Sequence, residues 1–105
     1  MATSKEFIAF VTDALARYYP CRAKKAFGEY IVYVEEKPVL TVCDDTVFVK
    51  KREELSDLLS ETGSPYPGAK EHYVLDAGDG ELLRETVRRL LAAAGSRTLG
   101  FHSSP

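Results

Sequence analysis

The 105-residue sequence predicts one α+β domain, a two-layer fold with helices on one face of an antiparallel sheet, in the order α-β-β-β-β-α-β-α. Three observations lead there. An amphipathic stripe opens the chain, β-rich runs separated by short turns follow, and a second stripe lies near the end. Turns this short cannot hold the crossover of about a dozen residues that parallel strands need, so consecutive strands must pair antiparallel.

Phe7, Phe10, Val11, Ala14, Leu15 and Tyr18 recur at spacings of three and four, predicting a helix over 3–19. Thr3 with Glu6 makes a T-x-x-E capping box at its start, and Pro20 ends it. Strands follow over 22–27, 30–35, 39–43 and 46–50, divided by Gly28-Glu29, Glu36-Lys37-Pro38 and Asp44-Asp45. Leu55, Leu58, Leu59 and Thr62 predict a second helix over 51–62, closed by Gly63. The prolines of Ser64-Pro65-Tyr66-Pro67-Gly68 interrupt any ladder, and 72–75 reads as a fifth strand. Asp79 is then an N-cap for a third helix carrying Leu83, Val87, Leu90, Leu91 and Ala94 and ending at Gly95. Residues 1–95 are thus read as one domain and 96–105 as a C-terminal tail, either mobile or docked only through Leu99 and Phe101.

Fourteen Lys and Arg against sixteen Asp and Glu give a net charge of −2, which sets up no broad field for nucleic acid or anionic lipid. Cys21 and Cys43 lack C-x-x-C spacing, so neither structural zinc nor a disulfide framework is expected, and a reducing compartment fits. Lys5 and Glu6 sit inside the amphipathic start, where a signal peptide would carry an apolar run. With no run of roughly 18 apolar residues either, the expected location is the cytoplasm, without membrane contact.

The reactive residue types are few. His72 falls in a strand and His102 in the tail, and zinc needs three or four convergent donors, so no metal site is expected. Cys43 with His72 as base is the one nucleophilic pairing available, but Cys43 lies among Val39, Leu40 and Val42, where a cysteine packs as a small apolar residue. Gly78-Asp79-Gly80 lacks the lysine and the length of a phosphate loop. The expectation is no catalytic residue and no cofactor. Three basic clusters, Arg22/Lys24/Lys25, Lys50/Lys51/Arg52 and Arg84/Arg88/Arg89, are interleaved with Glu53, Glu54, Glu81 and Glu85. They keep direct nucleic-acid binding open as an alternative, and an enzyme using Cys43 or His72 as a more remote one.

Lys25-Ala26-Phe27-Gly28-Glu29-Tyr30, then Tyr33, then Asp44-Asp45-Thr46-Val47-Phe48-Val49-Lys50, resembles the N-terminal domain of the TfoX/Sxy family of competence regulators. Pro65-Tyr66 with Lys70, His72, Tyr73 and Val74 resembles that family's proline-aromatic loop and Tyr-rich strand. On that resemblance Phe27, Gly28, Tyr33, Asp44, Asp45, Lys50 and Tyr73 are structural motif residues, and the fold is of a secretion-chaperone-like kind. It further implies transcriptional regulation of bacterial DNA uptake. Full-length members carry a second, C-terminal domain for which 96–105 offers no room, so a stand-alone, non-catalytic module binding a protein partner is expected.

Two-residue turns at Glu36-Lys37 and Asp44-Asp45 would place Ile31, Tyr33, Leu40, Val42, Val47 and Val49 under the helices. Tyr30, Val32, Val34, Val39, Thr41, Cys43, Thr46 and Phe48 would then form an apolar open face, suited to homodimerisation or to a regulatory partner. Gly28 is expected to take a positive φ or a bulge between the first two strands. Gly28→Val should therefore lower stability by about 1–3 kcal/mol through backbone strain. An unchanged thermal melt would contradict that assignment.

Overall fold

In the computed structural model the elements are α1 (Lys5–Ala16), β1 (Cys21–Ala26), β2 (Glu29–Val34), β3 (Lys37–Cys43), β4 (Thr46–Lys50), a 3₁₀ turn (Glu53–Leu55), β5 (Thr62–Gly63), β6 (His72–Leu75) and α2 (Gly80–Ser103). The structure describes residues 3–26 and 28–103, with side chains as far as residue 94. Every strand pairing is antiparallel, in one six-stranded sheet of order β1-β2-β3-β4-β6-β5. The expected α+β class, with an antiparallel sheet and helices on one face, is the one observed.

The start of α1 differs from the capping-box reading. Ser4 is the N-cap, with extended backbone, and its Oγ accepts from the Phe7 amide at 3.1 Å. Thr3 is freed for a longer-range contact. Its hydroxyl accepts from the Asp45 amide at 3.4 Å, while the Ser4 amide donates to Asp45 Oδ1 at 2.8 Å. The N-terminus of α1 is thereby tied to the tip of the β3–β4 hairpin. Both tip residues, Asp44 and Asp45, have φ of 54°, as a two-residue type I′ turn demands.

Glu35 (φ 53°) and Glu36 (φ 64°) make a second such turn between β2 and β3, one residue earlier than expected. Glycine and asparagine are the usual residues here, so two glutamates in left-handed backbone carry strain. Glu36 gains in return an ion pair to Arg22 Nη2 at 2.9 Å. Gly28, at φ 83°, has the expected positive φ, with nothing within 4 Å of where a Cβ would stand, so the penalty for a side chain there is conformational and not steric. Phe27 lies outside the described residues.

A bulge in β3 corrects the assignment of faces. Tyr33 pairs with Pro38, but Val32 pairs with Leu40, leaving Val39 as an extra residue on β3. One extra residue turns β2 over relative to the rest of the sheet. Tyr30, Val32 and Val34 therefore share the helix-covered face with Leu40, Val42, Val47 and Val49, and Ile31 and Tyr33 move to the other side. Val32 and Val34 are 0% exposed and join Val11 and Leu15 of α1, Leu55 and Leu59, and Leu83 and Val87 of α2 in one core. Each such side chain contributes roughly 1.5–3 kcal/mol on burial.

The predicted helix over 51–62 is also corrected. Only Glu53–Leu55 form a 3₁₀ turn, and Thr62–Gly63 add a short edge strand against β6. Ser56, Asp57, Ser60 and Thr62 are residue types that favour caps and turns over helix interiors, and the Ser56 hydroxyl bonds the Glu53 carbonyl at 2.9 Å. Gly63 serves packing and not capping: a Cβ there would meet Val74 Cγ2 at 3.3 Å and Phe48 Cε1 at 3.5 Å. At α2 the expected cap holds, with Asp79 Oδ1 accepting from the Leu82 amide at 3.1 Å. The helix then continues through Gly95 to Ser103, beyond its expected end. Glycine permits a helix to stop without imposing it, and no proline occurs until Pro105. The docking expected of Leu99 and Phe101 lies outside the described side chains.

Thr86, 0% exposed on the buried side of α2, has a hydroxyl without a hydrogen-bond partner among the described residues. Thr86→Val keeps the shape and removes the unsatisfied group, so it should stabilise by about 1 kcal/mol, a rise in Tm of about 4 °C. A lower Tm by calorimetry would show that the hydroxyl is bonded in solution.

Candidate functional site: an open sheet face split by a cleft

Cross-strand partners share a face, so the register fixes what lies opposite the helices. Ile31 pairs with Thr41, Thr41 with Phe48, and Phe48 with Val74, which form one continuous row across four strands. Tyr33, Cys43 and His72 lie on the same face. Phe48 is buried to 7% exposure yet stands outside the main core, since its ring reaches over β6 to the bare backbone of Gly63 and meets the His72 ring edge-on at 6.5 Å. Of the expected interface residues, Thr41, Cys43 and Phe48 are on the open face, Val32 and Val34 are sealed beneath the helices, and Tyr30 is half-buried on that helix side. Ile31 and Tyr33, expected in the core, take their place.

The motif residues divide by role. Asp44 and Asp45 form the tip held by α1, and Tyr73 is a core residue with the Lys51 ammonium 5.6 Å from its ring centre. Tyr33 and Lys50 face outward.

Near its middle the sheet comes apart. Cys43/Thr46, Val42/Val47 and Thr41/Phe48 pair, but the ladder stops there, so the next two positions of β3 and β4 are not joined. In a hairpin with a two-residue turn the next bond-exchanging pair would be Val39 with Lys50, and Val39 is the bulge residue. The cleft that opens has a volume of about 580 Å³. Leu90, Leu91 and Ala94 of α2 close it on the helix side, and Ile31, Thr41 and Phe48 line it on the open side. Lys37, Lys50, Arg52 and His72 are the ionisable residues of its wall.

The three basic clusters do not merge. Arg22 lies over the Tyr33 ring, 4.4 Å from its centre, while bound to Glu36. Lys51 bonds Glu71 at 2.9 Å and Arg52 bonds Glu54 at 3.3 Å, so of the two members at the cleft, Lys50 and Arg52, Lys50 alone has no ion pair among the described residues. The third cluster sits on α2 and is locally neutralised: Arg88 and Arg89 both grip Glu85, Arg89 also reaches Asp57 at 2.7 Å, and Arg84 covers the Tyr18 ring.

Cys43 and His72 are not brought together. Cys43 is opposite Thr46 and His72 opposite Lys50, four positions apart on β4, roughly 13 Å along the strand. Burial, followed by the negative charge of Glu29, pushes the Cys43 thiol above its ordinary range, away from thiolate. Among the described residues no group of three His, Cys, Asp or Glu could hold a metal ion, and no helix is long and apolar enough to cross a membrane.

The sequence is 37% identical over 97 residues to an uncharacterized 12.7 kDa protein in the trpE 5′ region of Spirochaeta aurantia, spanning 90% of this chain and 84% of the relative. The chain belongs to that protein's family. No family model and no solved structure matches the sequence.

The α2 cluster yields a pH dependence. Hydrogen bonds from Arg88 and then Arg89 hold the Glu85 carboxyl down from 4.5 to about 2. A depressed folded-state pKa contributes stability above the unfolded value, which is lost as pH falls from about 4.5 toward about 2. Glu85→Gln should melt lower than wild type at neutral pH and lose less stability across that acid window. Parallel melting-versus-pH curves for the two proteins would contradict the assignment.

Proposed function

We propose that this chain is a non-catalytic regulatory module of the cytoplasm that acts by binding another protein through the open sheet face, in the manner of a domain similar to the N-terminal part of the TfoX/Sxy competence regulators. The observation carrying this reading is the row Ile31–Thr41–Phe48–Val74, apolar but for Thr41, with Tyr33 beside it. An antiparallel sheet with one wet side usually alternates with polar residues, and apolar continuity on that side marks an interface. The protonated state favoured at Cys43 and its distance from His72 argue against a nucleophilic enzyme.

Direct nucleic-acid binding is the second reading, favoured by Arg22 and Lys24 on the outer edge of the same face. It is the weaker one. Arg22 is already engaged by Glu36 and Tyr33, and α2 neutralises most of its own cations.

Affinity capture from the native cell with wild type, with Ile31→Lys/Val74→Lys, and with the helix-side control Arg88→Gln separates the readings. The expected result is a protein retained by wild type and control and lost by the open-face variant, with all three folded by circular dichroism. A partner held equally by all three, or salt-sensitive DNA or RNA binding that Arg22→Glu/Lys24→Glu abolishes, would overturn the proposal. Sedimentation of the wild type at roughly ten times the dissociation constant identifies the case in which the partner is a second copy.

A further inference from the structure

We propose that the cleft between β3 and β4 binds a small amphipathic carboxylate, its apolar body inside the sheet and its carboxylate at the cationic mouth. This inference does not depend on the protein-binding role of the open face. Three observations carry it.

The first is size and lining. A volume of about 580 Å³ is within the range of small-molecule sites, roughly 300–1,000 Å³. Its walls are apolar through their depth, from Leu90 and Leu91 of α2, past Leu40 and Val49 of the sheet, to Phe48.

The second is charge. Lys37, Lys50, Arg52 and His72 line the cleft and no acidic side chain does among the described residues. The protein as a whole is net negative, so the gathering of Lys37, Lys50 and Arg52 at an apolar opening is local. Neither Lys37 nor Lys50 makes an ion pair among the described residues, whereas Lys51, one position on, is taken by Glu71. An anion entering here would meet uncommitted ammonium groups beside a low-dielectric interior that strengthens their attraction.

The third is shape. The cleft is a wedge, closed at one end by the Thr41/Phe48 pair and at its rear by α2. A peptide strand cannot run through a wedge that two paired strands seal. A compact molecule with one charged end can enter it head outward.

The test uses three ten-carbon probes on the full chain: decanoate, decanol and decyltrimethylammonium. Titration calorimetry should give saturable one-to-one binding of decanoate, weaker by about tenfold or more for decanol and for the cation. Charge reversal in Lys37→Glu/Lys50→Glu should cost decanoate about tenfold or more and leave decanol unchanged, and Leu91→Trp, which fills the cleft, should weaken both. Equal affinity for all three probes would reduce the cleft to a nonspecific apolar gap. No saturable decanoate binding up to about 1 mM would remove the site altogether. The comparison of probes on the wild type stands even where a variant fails to fold.

Discussion

The single residue inserted at Val39 governs more of this molecule than any ion pair or cap, because it acts on register. With side chains alternating at a period of two, one unpaired residue in β3 exchanges the two sides of β2 relative to β3 and β4. Val32 and Val34 become core, Ile31 and Tyr33 become surface, and both the helix-facing layer and the open layer are built on that exchange. The same residue occupies the position at which β3 and β4 would next trade hydrogen bonds. Bulge, open apolar face and cleft are thus three aspects of one irregularity.

Around it the molecule is held by devices of different reach. The core unites α1, the 3₁₀ turn and α2 over a single face of the sheet, so removing any one of the three exposes the others. Two hairpins turn on acidic residues in left-handed backbone, a choice made tolerable by outside partners: Arg22 for Glu36, and Thr3 with Ser4 for Asp45. Those contacts join segments 14 and 41 positions apart, so local strain is offset by long-range order.

Much of the frame was legible in the residues. The 3.6-residue stripes of α1 and α2 and the limits of β4 and β6 follow from hydrophobic period and turn chemistry, and Asp79 is capped as its position suggests. Gly28 takes the left-handed backbone that its place between two strands requires. What was not legible depends on competition between near-equal alternatives. Leu55, Leu58 and Leu59 carry a helical spacing, but the serines, Asp57 and Thr62 among them tilt the balance to one 3₁₀ turn and an edge strand. No local signal marks Val39 as a bulge, since its side chain suits either strand face, and the assignment of the β2 faces inverted with it. Open-face Ile31 and Tyr33 could have been found from sequence only by allowing for that extra residue.

The two margins of the sheet set a rule for any higher assembly. At one margin β1 presents Arg22, Lys24 and Lys25 in succession, and at the other β5 is only two residues long and runs into Pro65 and Pro67. A charged border and a truncated, proline-backed one both resist the addition of another strand. Lateral growth into a continuous ribbon is therefore blocked from either side. What remains open to contact is the broad surface of the domain and not its strand edges.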